Sequence, residues 1–176
     1  LPLLAHAAPE DIFGIPSKTY CLKDVCIGDA LSEHEAKLDL KPRKQDFPDC
    51  KNSSFNVGTK KAADGSRFGM TLKAVPALAG SDYSAYYRVS SVSYYFDKRI
   101  PQASQEELSE TLGKRMNLTH KRSYVYKTER GATLKNGAEI KIDVGADDAS
   151  LTASENTDRY AEINAQPGCT GKAPNL

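Results

Sequence analysis

Four cysteines, Cys21, Cys26, Cys50 and Cys169, limit this chain more than any other feature, because they are even in number and widely spread. In an oxidising compartment such a set reads as two disulfides, with three possible connectivities. Zinc is the rival reading, but structural zinc takes two closely spaced ligand pairs. Only Cys21 and Cys26 come near that spacing, and His6, His34 and His120 complete no second pair. No metal or other cofactor is expected. On a straight strand Cys21 and Cys26 face opposite sides. That parity argues against Cys21–Cys26; of the two pairings left, Cys26–Cys50 with Cys21–Cys169 is the expectation adopted, the second tying the tail to the first strand.

The opening residues agree with an oxidising destination. Leu1-Pro2-Leu3-Leu4 followed by Ala5-His6-Ala7 reads as the end of a secretory signal, with small residues where a signal peptidase cuts, before Ala8. The alternative is an apolar arm packed on the domain. Residues 8–176 are expected to form a single domain, large enough to bury roughly 70% of the surface its unfolded chain exposes. Net charge is +1, from 24 basic and 23 acidic side chains. That balance argues against a nucleic-acid partner, which calls for a basic excess. No apolar run approaches the roughly 20 residues of a membrane-spanning helix.

Residue patterns predict a strand-rich α+β fold, mainly antiparallel, with one long and one short helix. Tyr20–Ile27 reads as a strand, and Ser32 with Glu35 as a capping box opening a short helix. Strands are expected over 55–59 and 67–75, joined by a turn at Asp64-Gly65. The densest strand signal runs from Tyr86 to Phe96, with Val92, Tyr94 and Phe96 on its core side. Ser104 and Glu107 form a second capping box, after which Leu108, Leu112 and Met116 make one apolar helical stripe. A β-meander follows: strands over 123–128 and 132–135, a hairpin at Asn136-Gly137, a half-buried strand over 138–144 and shorter strands near 150–154 and 159–164.

Catalytic chemistry finds few candidates. A nucleophile needs an oriented base, yet beyond residue 7 only His34 and His120 remain. His34, in Ser-Glu-His-Glu, reads as a solvated surface residue, and His120 as compensation for a helix C-terminus. Asp143, Asp147 and Asp148 lack the spacing of a calcium loop and read as solvated turns. No phosphate loop is present. Lys114, Arg115, His120, Lys121, Arg122, Lys127 and Arg130 form a basic cluster, read either as a solubilising face or as the footprint of an acidic partner.

The tyrosines are the other candidates. Tyr83, Tyr86, Tyr87, Tyr94 and Tyr95 crowd around Arg88, and Tyr124 and Tyr126 follow. Tyrosine suits strands and core rims. Exposed Tyr and Arg also anchor protein interfaces, offering large area at small entropic cost. The candidate partner-binding set is Tyr86, Arg88, Tyr95, Lys121, Arg122, Tyr124 and Tyr126.

The segment Asp24-Val25-Cys26-Ile27-Gly28 leading into a capped helix, with Val89, Val92, Tyr94 and Phe96 leading into another, resembles small bacterial periplasmic α+β proteins. Some of those are inhibitors or immunity proteins that neutralise envelope-directed toxins. The resemblance implies an exported, non-enzymatic protein that acts by binding a protein partner. A small-ligand or cell-wall-binding module and a small envelope hydrolase are the alternatives.

Overall fold

The computed structural model describes residues 18–39, 54–74, 87–135 and 137–154. Two antiparallel strands, β1 (Cys21–Leu22) and β2 (Val25–Cys26), form a hairpin closed by Lys23 and Asp24. The main sheet has seven strands: β3 (Ser54–Gly58), β4 (Arg67–Ala74), β5 (Tyr87–Tyr95), β6 (His120–Ser123), β7 (Lys127–Thr133), β8 (Glu139–Gly145) and β9 (Asp148–Ser154). Their spatial order is β3-β4-β5-β9-β8-β7-β6, antiparallel throughout. Among the described residues one α-helix, α1 (Gln102–Arg115), connects β5 to β6 and packs across β7 and β8.

Pairing register lines up the core. Met70, Val92, Leu151 and Ile142 stand opposite one another across β4, β5, β9 and β8, and all are buried. Along β8 and β9 the expected alternation holds, with Ile140, Ile142 and Val144 inside beside Ala149, Leu151 and Ala153. In β5 the alternation switches phase. Thr71 faces Ser91 but Leu72 faces Val89, so Ser90 is an extra, bulged residue. Its hydroxyl donates to the Thr71 carbonyl at 3.0 Å. The bulge lets Tyr87 and Val89 face the core on one side of it and Val92, Tyr94 and Phe96 on the other.

The helix buries Gln105, Ser109, Leu112 and Gly113, with Met116 just beyond its end and Leu108 packed at the margin of the core. It begins at Gln102, after Pro101, so Ser104 and Glu107 do not cap it and its first turn carries no acidic residue. Proline needs no N–H there and fixes φ at the entry. The Gln105 side chain donates to the Ile100 carbonyl at 3.1 Å instead. Near Gly137, Leu134 and Ala138 close a loop in which Gly137 takes positive φ, +82°.

Other expectations fail as well. The anticipated single strand over 20–27 is a hairpin, so Cys21 and Cys26 face each other and join in a disulfide with Cα atoms 4.0 Å apart. Neither Cys26–Cys50 nor Cys21–Cys169 therefore exists, and Cys50 and Cys169 lie outside the described residues. On a straight strand the two cysteines would face apart, but Lys23 takes positive φ, +52°, and folds the chain back. The short helix is two successive 3-10 turns, Leu31–Glu33 and Glu35–Lys37, and it is the Glu33 carboxylate that accepts the Ala30 N–H, at 3.0 Å. The strand expected over 123–128 is broken by a turn at its centre. The strand expected over 159–164 lies outside the described residues.

Ile142 has no exposed surface and touches both the central row and the helix side of the sheet. Ile142→Ala is expected to lower the unfolding free energy by about 2–5 kcal/mol in urea titration. A loss under about 1 kcal/mol would place the core elsewhere.

Candidate interaction surface

The segment Ser123-Tyr-Val-Tyr-Lys-Thr has strand propensity but no surface to bury against. Lys127 is opposite Gly145, where β8 ends, so residues before Lys127 project past the sheet. The Tyr124 N–H donates to the Lys127 carbonyl at 2.8 Å and closes the β6–β7 hairpin there. Tyr124, Val125 and Tyr126 become its tip, 44%, 83% and 81% exposed. Three consecutive apolar side chains in water are unusual for a hairpin turn, where Gly, Asn and Asp prevail. The Lys127 ammonium lies 5.5 Å from the Tyr124 ring centre.

Cations of the basic cluster divide into engaged and free. Lys114 pairs with Glu110 at 2.7 Å, one helical turn away. Arg115 donates to the Cys21 carbonyl at 2.7 Å and ties α1 to the disulfide hairpin. Lys127 pairs with Asp143 at 3.1 Å. Arg130 runs beneath α1, its Nε donating to Ser109 Oγ at 3.1 Å while its stem occupies the space a side chain at Gly113 would need. His120, Lys121 and Arg122 remain, all exposed on β6 and without an ion pair among the described residues. Beside them Gly131 leaves a cavity of about 360 Å³ on the polar face of the sheet, lined by His120, Arg122, Glu129, Glu139 and Lys141. Asp143 does not sit in a solvated turn: it lies within β8, its side chain 22% exposed, between Lys127 and Lys141.

Sequence reasoning grouped seven residues that the fold separates. Tyr124, Tyr126, Lys121 and Arg122 share the β6–β7 hairpin. Tyr95, 37% exposed, belongs to β5 on the far side of β9, β8 and β7. Its ring lies over Gly69 and under the Arg67 guanidinium, 5.3 Å from the ring centre. Arg88 is not an exposed anchor, because only 8% of it reaches solvent. Its main chain continues the sheet edge through Ala30, and burial lowers its pKa against the opposing pull of Glu33 and Asp29. Arg88 Nε is buried without a hydrogen-bond partner among the described residues. Tyr86 and Tyr83 lie outside the described residues.

One cluster escaped the sequence reading. His34 is buried, not solvated: its Nε2 lies 2.7 Å from Asp29 Oδ2, with both side chains almost wholly enclosed. The same carboxylate accepts the Cys26 N–H at 2.9 Å and an ion pair from Lys18, which also reaches Glu33 at 2.8 Å. The charged sequence around His34 suggested a surface helix. In the fold His34 sits between the two 3-10 turns and points inward. Among the described residues no group of three or more His, Cys, Asp and Glu is placed to hold a metal ion. Comparison with protein-family models, curated proteins and solved structures finds no match.

Burial alone would raise the Asp29 carboxyl, but the hydrogen bonds from His34, Lys18 and the Cys26 N–H outweigh it and hold the pKa below the ordinary 3.8. A carboxyl with a lower pKa folded than unfolded contributes fully above its unfolded pKa, and that contribution is lost as pH falls through the folded one. Asp29→Asn is expected to cost roughly 3 kcal/mol at neutral pH. The gap to the wild type should close as pH falls below 3.8, read by thermal melts across that range. A gap that stays constant through acid would show that the charge of Asp29 is not its source.

Proposed function

We propose that this chain is an exported, non-enzymatic binding protein that neutralises an envelope-directed toxin or hydrolase by occluding it. The observation that carries the reading is the apolar tip Tyr124-Val125-Tyr126 beside the exposed Lys121, Arg122 and His120, none of which has an ion pair among the described residues. Exposed Tyr and Arg are the commonest energetic anchors of interfaces. Positive charge around them speeds encounter with an acidic surface and rejects basic ones. Arg88 and Tyr95 drop out of this surface. The Cys21–Cys26 disulfide supports an oxidising destination, periplasmic or extracellular. With those two sulfurs joined, the second bridge of the reading is Cys50–Cys169, and free thiols there in untreated protein would refute it.

A second reading, a small-ligand or cell-wall-binding module, draws on one specific feature. Paired Gly58 and Gly69 floor an open trough of about 530 Å³, walled by Asn56, Thr71, Arg67 and Tyr95 with Asp39 at its rim. It is open, and polar and apolar groups line it in equal measure, unlike the enclosed apolar pockets that usually hold small molecules. The protein-binding reading is therefore preferred.

Immobilised wild-type protein should retain one stoichiometric protein from envelope extracts at low salt and release it as salt rises. The triple variant Tyr124→Ser, Val125→Ser, Tyr126→Ser should lose that protein while melting at the wild-type temperature. Equal retention by the triple variant, or capture of nothing from related strains, would refute the reading.

A further inference from the structure

β6 ends the seven-strand order, and its outer side meets no described strand. Tyr124 hydrogen-bonds Lys127, and antiparallel pairs alternate between bonded and non-bonded. His120 and Arg122 therefore turn their main-chain groups toward β7, and Lys121 and Ser123 turn theirs outward. All four residues are exposed. The structure thus offers two outward-facing residues of backbone, continuous with the apolar tip and unblocked by proline or a covering element among the described residues.

Charge decides what can lie along that edge. A second copy of this chain would bring its own His120, Lys121 and Arg122 against these, and like charges facing across a strand pair are destabilising. Lysine on an edge discourages neutral and basic strands in general. An acidic strand meets the opposite situation. In an added strand, alternate side chains fall on opposite faces. Those on one face would lie beside Lys121; those on the other would lie beside His120 and Arg122, at the mouth of the cavity over Gly131. Glu129 and Glu139 also line that cavity, and Lys141 there already pairs with Glu129 at 3.3 Å, so the positive charge open to an added strand is that of Lys121 and Arg122 on β6 itself.

We infer that the partner docks by strand addition: an extended, acidic segment of a protein pairs with the outer edge of β6, its carboxylates beside Lys121 on one face and Arg122 on the other, while Tyr124, Val125 and Tyr126 pack against its continuation. This inference rests on the protein-binding reading above and specifies its mode. Main-chain bonds would give the orientation and alternate carboxylates the selectivity, as in other strand-addition complexes.

The test uses an end-blocked peptide of alternating Glu and Val, with a Lys and Val peptide and phosphatidylglycerol vesicles as comparisons, titrated into the full chain. Binding of the acidic peptide should slow exchange of the Lys121 and Ser123 amide protons and leave that of His120 and Arg122 little changed. Ser123→Pro removes an outward N–H, which an edge strand tolerates, and should weaken the peptide by roughly tenfold or more. Arg122→Glu should weaken it comparably at low salt. Equal binding by Ser123→Pro and wild type would overturn strand addition, even with Arg122→Glu impaired, and would leave side-chain docking to an acidic protein standing. Binding to the vesicles but not to the acidic peptide would overturn both, assigning the tip to a lipid surface, and preference for the Lys and Val peptide would overturn the charge argument.

Discussion

Val92 sits where two locally built pieces of sheet become one. β3, β4 and β5 form a meander of sequence neighbours, as do β6, β7, β8 and β9. Among the described strands the pairing of β5 with β9 alone joins them, with Val92 between Met70 and Leu151. Hydrogen bonds along that seam orient the strands, but the buried row across it is what makes the long-range closure favourable. Hydroxyls on the opposite face follow the same register: Ser91 meets Thr152 at 3.0 Å and Ser93 meets Ser150 at 2.6 Å. The core face of the sheet thus carries the energy, and the hydroxyl face adds alignment.

What lies beyond β5 is positioned by that seam. Phe96 and Ile100 donate their N–H groups to the carbonyls of Asp147 and Ala146 in the turn between β8 and β9. These bonds fix the launch point of α1, whose small residues Ser109 and Gly113 admit Arg130 of β7 beneath them. β7 is thereby held under the helix, and β6 is carried out to the margin. The exposed hairpin is a consequence of where the sheet stops, since β8 and β9 turn at residues 145–148 and leave no described strand under Tyr124–Tyr126.

Most of the sheet could be read from residue patterns. The alternation around Ile140 and Ile142 and the density of β-formers in Tyr87–Tyr95 each specify a strand whatever its neighbours, and the stripe at Leu108, Leu112 and Met116 specifies a helix. The failures share a cause: local pattern does not report what lies alongside. Ser-Tyr-Val-Tyr-Lys-Thr has the composition of a strand and becomes a turn, because no strand of β8 remains opposite it. Ser-Glu-His-Glu has the composition of a solvated helix, yet the Asp29 carboxylate, five residues earlier, draws His34 inside. Lys23-Asp24 lacks glycine, so nothing in its composition announced the reversal that brings Cys21 to Cys26. Of the seven proposed contact residues, the four on the β6–β7 hairpin came together because they are close in sequence. Arg88 and Tyr95 needed the sheet order to be separated from them.

The Cys21–Cys26 bridge spans a loop so short that it removes little freedom from the unfolded chain, since cross-linking restricts conformation in proportion to the logarithm of the loop length. Its value lies in order of events. Both sulfurs emerge from synthesis within a few residues of each other, long before Cys169, and a tight reversal keeps them at high mutual concentration. Early closure of this pair takes two reactive thiols out of circulation before the strands of the sheet are complete.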